Sequence, residues 1–314
     1  MRICSFLPSA TEIVYALGLE KNLVGITHEC DYPPEVSEKP RVIDSFLKPD
    51  ELNSREIDEL VAKNKEQGKS TYLIELEKLK EASPDIIITQ GLCEVCAVSG
   101  NEVIDAAKAL GSMPDIISLE PKTVGEVLES FITVGVATNK KAEAEELCDK
   151  LNIRLDSIKR KLEIEDEHPK VFCLEWFDPP YVGGHWVPEM VELAGGEPVL
   201  GIKGEPSFKI KWEDVLRSLP RFTIVMPCGY DIDKSLDEMD MVLSVEQWHK
   251  LPSTRKGHAY IVDANSYFSR PGPRIVTGIE ILAHILHPDL FSGDIPPNSF
   301  INYRNYIYLQ DFLG

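Results

Sequence analysis

Short apolar runs alternate with helix-period segments along most of this chain, but no apolar run breaks residues 124–164. Ile3–Leu7, Val24–Ile26, Ile86–Thr89 and Ile116–Leu119 lie before that interval; Val171–Leu174, Thr223–Met226 and Ala259–Val262 lie after it. Such alternation specifies parallel sheets covered by helices. Two alternating regions around a strandless interval predict an α/β protein of two Rossmann-like lobes bridged by a long helix. The expected boundaries are a first lobe over residues 1–120, a helical linker over 121–168 and a second lobe with a tail over 169–314. In the linker, helices are predicted over Val124–Ala137 and Lys140–Ile164, the second with Leu147, Leu151, Leu155, Ile158 and Leu162 at helical spacing. At ~1.5 Å per residue the second helix would be a strut of roughly 36 Å.

Local signals refine this. Ser9 with Glu12 reads as a capping box opening a helix that Gly18 ends. Residues 50–82 read as charged helix with a joint near Gly68, and Thr277–Leu286 as the last clear helix. Residues 288–314 read as a tail anchored on a lobe by Phe300, Tyr303, Tyr306, Tyr308 and Phe312.

The densest chemistry follows a strand. Val171–Leu174 runs into Glu175-Trp176-Phe177-Asp178-Pro179-Pro180-Tyr181, then Gly183-Gly184-His185-Trp186 and Ala194-Gly195-Gly196. Loops at the carboxyl ends of strands are where α/β sheets bind ligands. Aromatics beside glycines there fit a flat or bulky ligand, since glycine admits close backbone approach and aromatics supply contact area. A Trp-rich core corner fits the same residues.

Charge excludes whole classes of partner. A net charge of −19 opposes nucleic acid and anionic lipid, both of which are bound by clustered Lys and Arg. The apolar run at the N-terminus is stopped by Pro8 and is far shorter than a secretory core. No stretch approaches the ~18 apolar residues of a membrane span. Seven cysteines, an odd number, suit a reducing compartment, and the expected location is the cytoplasm if Met1 is the native start, and extracytoplasmic if it is not.

Cys30, Cys93, Cys96 and Cys228 fall in loops just after strands, as do His28 and His185. Thiolate and imidazole are ligands for zinc and similar metals. Three readings of these loops stay open: a transition-metal site using His28, Cys30, Cys93, Cys96 and Cys228, a redox-active Cys93-x-x-Cys96 pair, or reduced thiols flanking a ligand pocket. Cys4, Cys148 and Cys173 sit inside strand or helix patterns and are expected in the core. Ser269-Arg270-Pro271-Gly272-Pro273-Arg274 could grip a ligand's periphery through Arg270, or restrain the last helix.

Several motifs in order resemble one family. Leu7-Pro8-Ser9-Ala10-Thr11-Glu12, Asp31-Tyr32-Pro33-Pro34, Ser83-Pro84-Asp85-Ile86, Asp178-Pro179-Pro180-Tyr181 with Gly183-Gly184, and Ala194-Gly195-Gly196 are similar to motifs of the vitamin B12-binding proteins of ABC importers. These belong to a wider class of corrinoid-, haem- and siderophore-binding proteins with two lobes joined by a backbone helix. The resemblance implies a corrinoid such as cobalamin, or a similar metal chelate, lying in an inter-lobe cleft. Its contacts would be Tyr32, the Gln90-Gly91 loop, and the loop of Trp176, Asp178 and Tyr181, with His185 and Arg270 as polar help. It places permease-docking acids at Glu77 and Glu213. A cytoplasmic member would instead serve a corrinoid-salvage enzyme. No Ser-His-Asp order, Walker loop or Gly-x-Gly-x-x-Gly is present, so binding rather than catalysis is expected. The alternative remains a metal- or thiol-dependent protein.

Overall fold

The computed structural model describes residues 1–47, 51–67, 70–91, 100–111, 113–293 and 295–307. It divides into two compact α/β units. One comprises Met1–Pro121 with Gly125–Lys150, the other Lys122–Val124 with Leu151–Gly314.

The first unit holds a six-stranded sheet of β1 (Ile3–Ser5), β2 (Leu23–Thr27), β3 (Arg41–Ser45), β4 (Tyr72–Ile74), β5 (Ile86–Thr89) and β6 (Asp115–Ser118), in the order β4-β3-β2-β1-β5-β6. All neighbours are parallel except β3 and β4. β1 and β5 are buried along their whole length, as their unbroken apolar runs require. The strand order reverses at β1, which makes the carboxyl ends of β1, β2 and β5 the natural ligand side of this unit.

Two local expectations fail here. The helix Pro8–Ala16 starts at Pro8, with Leu7 as its N-cap and no side-chain cap. Proline's fixed φ and missing N–H suit the first helical position, so Ser9 becomes a buried interior residue instead of a cap. The capping box sits instead before the helix Ser54–Glu66. There Glu56 N–H donates to Asn53 Oδ1 at 3.1 Å and Asn53 N–H donates to Glu56 Oε2 at 2.9 Å. Within residues 50–82 the second failure is β4, which separates that helix from Leu76–Ala82. A three-residue strand is shorter than one helical turn, so periodicity does not reveal it; it exists because Tyr72 and Ile74 pair with Ser45 and Ile43 of β3.

The second unit holds β7 (Lys170–Trp176), β8 (Tyr181–Val182), β9 (Glu197–Pro198), β10 (Phe208–Lys209), β11 (Phe222–Val225), β12 (Ala259–Val262) and β13 (Phe300–Asn302). The order is β10-β8-β7-β11-β12-β13, with β9 beside the start of β7. β7, β11 and β12 are parallel; β8 and β13 pair antiparallel with β7 and β12, and β10 pairs antiparallel with β8. The tail packs on this lobe as expected: β13 pairs with β12, and Tyr303 is buried in the core. Tyr308 and Phe312 lie outside the described residues. That core is built around Trp248, which is fully buried and meets Trp212 edge-on at 6.1 Å and 89°.

The interval between the sheets forms the helices Val124–Ala137 and Lys141–Leu162. The latter spans roughly 33 Å at ~1.5 Å per residue. Its residues up to Lys150 belong to the first unit and those from Leu151 to the second. In the second, Arg154 donates twice to Glu280, at 2.9 and 2.6 Å, and once to Thr277 at 2.8 Å.

Candidate functional site

In the second unit, three adjacent strands deliver their loops to one place. β7 ends in Glu175-Trp176, β11 runs on to Met226–Tyr230, and β12 is followed by Asp263–Arg274. The loops are tied by hydrogen bonds from backbone N–H groups. Cys228 N–H donates to Glu175 O at 3.0 Å, Asn265 N–H to Tyr230 O at 2.9 Å, and Gly229 N–H to Ser269 Oγ at 3.0 Å. The rings follow: Trp176 meets Tyr230 edge-on at 5.4 Å and 65°, and Phe177 lies 6.4 Å from Tyr230. Trp176, Asp178 and Tyr181 are each half-buried. Lys209 Nζ lies 5.6 Å from the Tyr181 ring centroid.

The glycine pair has a structural employer. A Cβ on Gly184 would stand 2.5 Å from Glu205 O and from Ser207 N, so the close approach it allows is to the chain's own backbone. Gly184 N–H donates to Ser207 Oγ at 3.1 Å, and that hydroxyl donates to Glu175 Oε1 at 2.7 Å. Next to it His185 has a φ of 50°, a conformation His adopts at a cost, fixed by bonds to Glu205 O and from Gly204 N–H. Burial, aided by Lys122, pushes the His185 imidazole below its ordinary pKa. A histidine held neutral when folded but charged when unfolded removes stability as pH falls through its unfolded value near 6.5. The contribution of His185 to folding stability should therefore fall from pH 7 to 5. His185→Asn, which tolerates the same backbone, should flatten that fall in urea titrations; an unchanged slope would count against it.

Arg270 is buried and donates to Asn265 Oδ1 at 2.8 Å, within its own loop.

In the first unit Tyr32 is 44% exposed, next to the cis bond to Pro33. Gln90 is buried and Gly91 exposed at the end of β5; a Cβ on Gly91 would stand 2.7 Å from Glu120 Oε1. His28 Nδ1 lies 3.2 Å from Thr27 Oγ1.

Cys30 follows a strand, yet its side chain is buried. It is 4% exposed, with its sulfur 3.1 Å from Thr11 Oγ1. Thr11 donates its one hydroxyl proton to Ser5 Oγ at 2.8 Å, so Cys30 S–H is the donor to Thr11. The turn in which Cys30 N–H donates to Thr27 O folds the side chain inward. Cys4 and Cys173 are buried as expected, and burial pushes their thiols up, Cys4 to about 12. Cys228 alone of the five described cysteines is half-exposed. Alkylation followed by mass spectrometry should modify Cys228 first among these five, since exposure and thiolate character control the rate; faster labelling of Cys30 would refute the buried chain. Cys93 and Cys96 lie outside the described residues. Among the described residues no three or more His, Cys, Asp or Glu side chains are grouped to hold a metal ion.

Sequence reasoning missed Tyr72, Ser207 and Tyr230. Tyr72 lines a cavity of about 770 Å³ with Phe46, Leu73 and Ile74, and its hydroxyl donates to Glu29 Oε1 at 3.3 Å. Only pairing of a strand that sequence did not announce places it there.

Strand-end loops carrying aromatics on doubly wound sheets define a ligand-binding protein of two α/β lobes. The model of the periplasmic binding protein family matches residues 3–266, and the chain belongs to that family. It is 25% identical over 299 residues to the uncharacterized ABC transporter substrate-binding lipoprotein YvrC of Bacillus subtilis, covering 92% of this chain and 81% of that protein. It is 23% identical over 223 residues to the vitamin B12-binding protein of Vibrio cholerae serotype O1, covering 70% of this chain and 68% of that protein. The apo structure of the periplasmic heme-binding protein RhuT from Roseiflexus sp. RS-1 shares the fold, with a TM-score of 0.69 at 20% identity over 92% of this chain and 98% of that one. Both curated relatives carry the names of substrate- or vitamin-binding proteins, and the family of this chain is that of the periplasmic binding proteins.

Proposed function

We propose that the protein binds a corrinoid such as cobalamin, or a similar flat metal chelate, through Trp176, Asp178, Tyr181, His185 and Arg270 of the second unit. The observation that carries this reading is the convergence of the β7, β11 and β12 loops around half-buried Trp176. Aromatic rings bury large apolar areas, and small-molecule sites are lined mostly by such side chains with a few polar groups that set orientation. The B12-binding and heme-binding relatives support the same class of ligand. The test is a visible-absorbance titration with cyanocobalamin, cobinamide and hemin. One of them should saturate near one equivalent at micromolar protein. No spectral change and no heat with any of the three, from a protein folded by circular dichroism, would reject the reading.

The proposed partner is an ABC permease met through Glu77 and Glu213. Both acids are exposed on short helices; Glu77 accepts from Lys80 at 2.8 Å and Glu213 from Gln247 at 2.7 Å. In a cytoplasmic setting a corrinoid-salvage enzyme takes that place. Cell fractionation separates the two. Among the described residues no helix is long and apolar enough to cross a membrane.

A further inference from the structure

We propose that Tyr230, held by Glu238, is a positioning residue that fixes Trp176 for the ligand; the affinity part of this inference rests on Trp176 being a ligand contact.

Trp176 is half-buried at the end of β7, with its indole packed edge-on against the Tyr230 ring. Tyr230 itself is 3% exposed and restrained on every side. Its hydroxyl donates to Glu238 Oε1 at 2.8 Å, its N–H donates to Pro227 O, and its carbonyl accepts from Asn265 N–H. Lys234 Nζ stands 4.5 Å from the ring centroid. Glu238 is itself buried, so this is a built support and not a surface contact. Burial, then Glu238, pushes the phenol far above its usual range, so the proton stays on the ring oxygen and the bond keeps one direction throughout the working pH range.

The physical consequence is preorganisation. A half-exposed indole loses rotamer freedom when a ligand stacks on it, and a rigid neighbour removes that loss beforehand. Tyr230 lies within the unit's buried core, whereas Trp176 packs against it from the partly exposed side. The support thus connects the ligand-facing ring to the helix Ile232–Asp237 and Glu238 behind it.

The test uses 5-fluorotryptophan-labelled protein, whose four tryptophans give four fluorine resonances, with Trp176 assigned by Trp176→Phe. Tyr230→Phe keeps the ring and removes the hydroxyl; Glu238→Ala removes the acceptor; Glu238→Gln keeps it. In ligand-free protein the first two variants should shift or broaden the Trp176 resonance and leave Trp186 and Trp212 unmoved, and Glu238→Gln should restore it. The dissociation constant for the macrocycle that the wild type binds should rise about fivefold in the first two and recover in the third, the effect of one buried hydrogen bond. An unmoved Trp176 resonance would overturn the proposal. So would movement of all four resonances with a lowered melting temperature, which is the mark of a general core residue. If the wild type binds no macrocycle, the ligand reading falls, and the fluorine spectra of the free protein still decide the positioning role.

Discussion

Trp176→Ala should weaken binding of the chelate about tenfold or more while the second unit stays folded. Full burial of an aromatic is worth roughly 1.5–3 kcal/mol, and 1.4 kcal/mol is a factor of ten. The indole is partly exposed in the free protein, so a ligand can cover the part that remains in solvent. Its core-side neighbour, Tyr230, remains held by Glu238 after the truncation. Calorimetry gives the affinity, and circular dichroism gives the folded state. Wild-type affinity in the variant would move the site away from the β7 loop altogether.

Trp248→Ala should have the largest effect on stability, a loss of about 3–5 kcal/mol. Trp248 is fully buried, and its ring closes a chain of edge-on contacts through Trp212 to Phe172 of β7. Trp248→Phe should lose less, because the indole Nε1 has no hydrogen-bond partner and its removal orphans nothing. Urea unfolding monitors both variants. Near-equal losses would show that the ring's shape matters less than the contacts indicate.

How legible these features were depended on what creates them. The strands Ile86–Thr89 and Ala259–Val262 and the helix Val124–Ala137 could be read residue for residue, because burial on both faces or a helical stripe writes itself into local sequence. β3 was missed because Arg41 and Asp44 interrupt its apolar residues, and β8, β9 and β10 because two-residue strands carry no pattern. At the candidate site, Trp176, Tyr181 and Cys228 were visible from their position after apolar runs. Ser207 was not, since its partner Glu175 is 32 residues away in the chain. Cys30 shows the limit in one residue: following a strand fixes where the backbone goes, and the next turn decides which way the thiol points.

The two sheets end differently, and that bears on how the protein behaves when crowded. In the second unit antiparallel strands β10 and β13 stand at both margins. In the first, β4 closes one margin, and the other is parallel β6, with Ile116 38% exposed and no further strand beyond it among those described. An exposed margin of this kind offers a template on which another chain can lay a strand. Asp115 at the start of β6 and the net charge of −19 keep copies apart. That repulsion reaches only about 10 Å at 0.1 M salt and about 3 Å at 1 M. Concentrated, salted solutions should therefore be where this molecule first associates with itself, starting from the outer margin of β6.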